Sequence, residues 1–106
     1  MMPQANPDRV IELLRRVYER PSLYMRDLSG IDEFLDGVRI SCLFLGGLAR
    51  DVELYQEILQ EQGWDPYLGL SREELSNSQS ERSDLEIAQE LLKVEIETWK
   101  RMSHTM

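Results

Sequence analysis

The feature that most constrains this chain is its helix punctuation. Starting and stopping residues bracket one stretch after another of apolar residues spaced three and four apart. Asn6 can cap a helix whose first position is Pro7, with Asp8 favourable to the dipole. Behind it run Val10, Leu13, Leu14, Val17 and Tyr18, with Glu12, Arg15, Arg16 and Glu19 on the other face. Pro21 stops this helix near Glu19 or Arg20. Ser22-Leu23-Tyr24-Met25 then reads as an extended apolar strip across the core.

Ser29 and Asp32 have capping-box spacing and open a second helical segment, whose stripe is Ile31, Phe34, Leu35, Val38, Cys42, Leu45 and Ala49. Between Ile40 and Leu48 it is apolar on nearly every side, the pattern of a central helix in a bundle. Gly46-Gly47 marks a kink or a close helix crossing. Val52, Tyr55, Ile58 and Leu59 carry the pattern to Gln62, and Gly63 terminates it. Residues 30–62 can therefore be one bent helix or two. Trp64-Asp65-Pro66-Tyr67 reads as a turn with aromatic anchors. Ser71 and Glu74 cap a short helix, and residues 76–83 form a polar loop. Ser83 and Glu86 cap a last helix with Leu85, Ala88, Leu92, Ile96, Trp99 and Met102 on one face, widened by Leu91 and Val94. Residues 103–106 are expected to fray.

No apolar–polar alternation persists for five residues, so the expectation is all-α: a compact helical bundle of three long helical segments plus short helices, in one domain over residues 1–106. The 42% apolar share can supply a core for a chain of this length.

The net charge of −8 lies wholly in the second half, since residues 1–50 hold seven Arg and seven acidic residues. Such a surface disfavours nucleic acid and anionic membranes and suits a basic protein. The longest mostly apolar run, residues 40–49, is about half a membrane span. The first ten residues lack the apolar stretch of a secretory signal. With one cysteine, Cys42, expected to be a buried thiol, an internal disulfide is excluded and a cytoplasmic location follows as the expectation.

Catalytic chemistry is hard to assemble from these residues. His104 is the sole histidine and lies within the end expected to fray, which leaves no positioned imidazole for a triad or proton transfer. One Cys and one His cannot make a structural zinc site. Paired Glu-x-x-His motifs and phosphate-binding loops do not occur. Glu53, Glu57 and Glu61 share a helix face and could gather oxygens for magnesium, as in helical nucleotide pyrophosphatases. The adjacent Glu pair and second acidic motif of such enzymes are missing, so a solvated face is the expectation. No catalytic, cofactor-binding or metal-binding residues are assigned.

Glu19-Arg20-Pro21-Ser22-Leu23-Tyr24-Met25, followed by Phe34-Leu35-Asp36-Gly37, resembles a box found in small bacterial all-helical proteins. The late Glu95-Ile96-Glu97-Thr98-Trp99-Lys100 also resembles theirs. Some members are similar to immunity proteins encoded beside bacterial toxins. The resemblance implies a helical protein of the toxin-inhibiting immunity type and no catalytic residues, and the acidic second half of the chain makes a basic toxin the expected partner.

Three functions stay open from the sequence. The first is a non-enzymatic protein-binding module of the immunity type. Its contacts would come from Glu53, Glu57, Glu61, Trp64, Asp65, Tyr67, Glu73 and Glu74, with the aromatics as anchors. The second is a self-associating structural or regulatory protein, a homodimer using Trp99, Met102, Leu91 and Val94. The third is the magnesium-dependent hydrolase.

Overall fold

The computed structural model describes residues 7–63 and 83–105. Among these it contains helices and turns and no strand. The expectations for Asn6, for Trp64 to Tyr67, for the Ser71–Glu74 cap and for the 76–82 loop lie outside the described residues.

Helix α1 spans Pro7–Glu19 with Asp8 in its first turn. Pro7 suits the first position because its missing N–H would have no partner there. Arg20 takes φ −142° and ψ 71°, outside the helical region as a residue before proline must be. The chain does not then cross the core as an extended strip. Pro21 starts a 3-10 turn, Pro21–Leu23, and the N–H groups of Tyr24 and Met25 both donate to the Pro21 carbonyl at 3.0 Å. Pro21 and Met25 are buried by this turn, while Leu23 and Tyr24 face solvent.

After a second 3-10 turn, Leu28–Gly30, helix α2 spans Ile31–Gly46. Gly30 stands at its N-cap position with no side-chain cap bond of its own, and the side chain of Ser29, expected to cap here, lies outside the described residues. Gly47 takes φ +63°, a left-handed conformation that glycine adopts without the steric cost of a Cβ. The N–H of Leu48 then returns to the Cys42 carbonyl. Residues 30–62 are therefore two helices, and the Gly46-Gly47 pair is a terminator: no neighbour lies within 4 Å of a Cβ built at Gly47.

Helix α3 spans Val52–Glu61. Asp51 caps it by accepting from the Leu54 N–H at 3.1 Å. Gly63, at φ +84°, follows its end as expected. Helix α4 spans Asp84–Thr105, two residues beyond Ser103, where fraying was expected. Its entry is the anticipated capping box, with the Glu86 N–H donating to Ser83 Oγ at 3.2 Å and Ser83 Oγ to Glu86 at 3.3 Å.

The centre of the bundle is α4, and α2 is peripheral, which inverts the expectation from the apolar run at 40–48. Helices α1 and α3, the two 3-10 turns and α2 all pack on α4. Ile87, Ala88, Leu91, Leu92, Val94, Trp99 and Met102 are buried along it. Helix α1 lies antiparallel to it. Gln89 Nε2 donates to the Tyr18 carbonyl at one end, and Ser103 Oγ donates to Asp8 at the other. Helix α1 contributes Val10, Ile11, Leu14 and Val17, and α3 contributes Tyr55, Ile58 and Leu59. From α2 only Ile31 and Leu35 are buried. The thinnest dimension, 20 Å, is two helix diameters, so the body is two layers deep.

This inversion has a direct test in equilibrium denaturation. Leu92→Ala, at a side chain with no exposure, is expected to lower stability by about 2–5 kcal/mol. Leu45→Ala, in the run expected to be central, should change it by less than about 0.5 kcal/mol.

Candidate protein-binding surface

Glu95 lies on the buried face of α4, three residues after Leu92 and four before Trp99, and its side chain is 1% exposed. A carboxylate there must be paired, because burying an isolated charge costs many kcal/mol. Four donors meet it. Oε1 accepts from Arg39 Nη2 at 2.5 Å and from Arg50 Nη1 at 3.0 Å. Oε2 accepts from Arg39 Nε at 3.1 Å and from Trp99 Nε1 at 2.9 Å. The carboxylate's lone pairs are thus used in full. Burial works against the charge on Arg39, but hydrogen bonding and attraction to Glu95 outweigh it, and its pKa is raised. Arg50 also stacks over the Tyr55 ring, 4.0 Å from its centroid. One residue of α4 therefore holds α2 through Arg39 and the α2–α3 link through Arg50.

Anchoring α2 by Arg39 decides which of its faces is left outside. At 3.6 residues per turn, Ser41, Phe44 and Leu45 lie about 120° or more around the helix from Arg39. Phe44 is 80% exposed and Leu45 75%, with Ile40 and Leu43 about half exposed. Beside them runs a groove of about 530 Å³ between α1 and α2. Val10 and Leu13 form one wall, Phe34, Gly37, Val38, Ser41 and Cys42 the other, and Arg9 and Glu33 sit at its rim. Phe44 is three residues from Ser41 and Leu45 three from Cys42, so both extend the α2 wall. Cys42 is half-buried here rather than fully buried. Desolvation, with the nearby Glu95 charge adding to it, pushes its thiol pKa up.

The sequence-derived contact residues separate into three sets. Glu53 and Glu57 are exposed on α3 and make no ion pair among the described residues. Glu61 is engaged within the fold. Arg101 donates to both of its oxygens, from Nη1 at 2.5 Å and Nη2 at 2.9 Å, and also donates from Nε to Glu97 at 3.2 Å. Hydrogen bonding to Arg101 holds the Glu61 carboxyl below the usual range. With Glu61 turned to Arg101, its oxygens do not join those of Glu53 and Glu57 in a magnesium set. Among the described residues no group of three or more His, Cys, Asp or Glu side chains is placed to hold a metal ion. Trp64, Asp65, Tyr67, Glu73 and Glu74 lie outside the described residues. The expected dimer face also fails, because Trp99, Met102, Leu91 and Val94 are core residues at 0–7% exposure. No described helix is long and apolar enough to cross a membrane.

Comparisons with protein-family models, with curated proteins and with solved structures found no match.

Sequence reasoning missed Arg39, Arg50 and Glu95, and it assigned the apolar half of α2 to the interior. A signal for Glu95 was present, as a charged residue within the apolar face that runs from Leu91 and Leu92 to Trp99.

Two measurements check this arrangement. Glu95→Gln removes the carboxylate shared by two partly buried guanidinium groups, leaving Arg39 with only the exposed Asp36 at 3.1 Å as counter-charge, and should cost about 3 kcal/mol in chemical denaturation. The Glu61–Arg101 pair contributes stability in full above the ordinary carboxylate pKa, and loses it as pH falls through the depressed folded-state value. The Glu61→Gln variant should therefore show a flatter acid-side dependence of its denaturation midpoint than the wild type.

Proposed function

We propose that this protein is a non-enzymatic protein-binding module whose docking surface is the outer face of α2 with the α1–α2 groove. One observation carries the reading. Phe44 and Leu45 stand in solvent on the outer side of α2, with Ile40 beside Phe44 and Leu43 on the flank toward Arg39, although each costs free energy in contact with water. Contiguous apolar patches on a folded chain mark interaction sites. Phe44, the most exposed large apolar side chain, serves as the anchor, and the groove beside it receives a partner side chain.

The chemistry of the partner follows from charge. Glu53 and Glu57 on α3, together with the acidic excess of residues 51–106, favour a basic protein and speed its encounter. In its specific form the reading is an immunity-type inhibitor of a basic toxin in the cytoplasm. Support comes from the resemblance of the Arg20-Pro21 box and of the Glu95-to-Lys100 segment, together with this charge balance. The α2 face adds an apolar anchor that the acidic residues alone do not provide.

Co-expression with the product of the neighbouring gene should yield a complex that survives gel filtration. Phe44→Asp is expected to weaken it by at least about 100-fold, the scale of losing a hot-spot side chain. Glu57→Gln should mainly slow association and reduce the salt dependence. A complex indifferent to Phe44→Asp would rule out the α2 face as its docking surface.

A further inference from the structure

We infer that in the isolated protein the α2 face is occupied by a second copy of the same chain, in an antiparallel α2–α2 pair whose two-fold axis passes near Ser41. The inference rests on the reading of α2 as a docking surface and names its occupant.

The face is self-complementary. Its C-terminal half bears the knobs, Phe44 and Leu45, and its N-terminal half bears the hollow, lined by Phe34, Gly37 and Val38 on α2 and by Leu13 on α1. In an antiparallel pair centred on Ser41, Phe44 of one copy lies opposite Val38 of the other, and Leu45 lies opposite Gly37. A Cβ placed on Gly37 would meet no heavy atom within 4 Å, so the space against it is open to Leu45 of the second copy. Each copy gives two knobs and receives two, as an isologous contact requires.

Charge selects both the occupant and the orientation. Of residues 37–49 only Arg39 is charged, and it is turned inward to Glu95. This is a stretch where two copies of a chain with net charge −8 can meet without bringing carboxylates together. A parallel pair would set Glu33 against Glu33 and Asp36 against Asp36. The antiparallel pair sets Asp36 opposite Gly46 and carries Asp32 and Glu33 past the end of the second copy's α2, away from its carboxylates. It also places the helix dipoles head to tail. A contact along a helix about 24 Å long is small, about 1,000 Å² in total, so the dimer should dissociate in the micromolar range.

Sedimentation equilibrium of the full chain from about 1 to 200 µM reads this directly. The expected result is a shift from 12.4 kDa to twice that mass, tightened by salt because screening lessens the repulsion between two acidic chains. Phe44→Asp and Leu45→Asp should each weaken the dimer at least about 100-fold with an unchanged circular dichroism spectrum, and Glu57→Gln should not. Ser41→Cys in a Cys42→Ser background should form an intermolecular disulfide when diamide takes up the two electrons. A monomer at every concentration, a dimer indifferent to Phe44→Asp, or a monomer that floats with phosphatidylcholine vesicles would each overturn the inference. The two readings fail separately. A monomer whose basic partner still depends on Phe44 sinks the dimer alone, and a Phe44-dependent dimer that accepts no other protein sinks the hetero-partner alone.

Discussion

A carboxylate shut away from water sets a condition on everything packed around it. Glu95 can be interior only if Arg39, Arg50 and Trp99 all arrive with their donors aimed at it. The cost of stripping water from three ions is close to what their mutual attraction returns. The cluster therefore adds little net stability, while any arrangement that misplaces one member is heavily penalised. It acts as a registry device. One side chain of α4 fixes the position of α2, through Arg39, and of the start of α3, through Arg50 and the Tyr55 ring beneath it.

The consequences for the surface follow from that fixing. Helix α2 buries Ile31 and Leu35 near its beginning and is held at Arg39. Beyond that point little of it is covered, and its most apolar residues face water. A chain that needed only stability would have placed Phe44 and Leu45 against α4 and kept Arg39 outside. The arrangement instead gives up apolar burial on α2 and satisfies a buried ion cluster. Both features fit the proposal that the outer face of α2 is a docking surface, with the groove shared with α1 beside it.

What the sequence discloses and what it hides divide along the line between local and long-range physics. Caps act over three or four residues, so the Ser83–Glu86 box, the stop at Pro21 and the glycine after α3 are all readable. The pairing face of α1 is nearly readable too, with Ile11 taking a place assigned to Leu13. The centre of the bundle is not. The run from Ile40 to Leu48 is more apolar than any stretch of α4, and apolar content alone cannot tell an interior helix from one whose apolar side faces solvent. The Arg39–Glu95 contact spans 56 residues, and no local spacing announces it. Glu61 looked free because its partner, Arg101, lies 40 residues away on another helix.

The Glu95 cluster, more than apolar packing, holds α2 in place with its apolar face outward. Hydrogen exchange of Glu95→Gln against the wild type, followed peptide by peptide, probes that dependence without an intermediate step. The α2 amides between Leu35 and Gly46 should lose most of their protection, while α1 and the α4 amides from Ile87 to Leu92 keep theirs. Equal loss in every helix, or an α2 protected as in the wild type, would contradict the role given to Glu95.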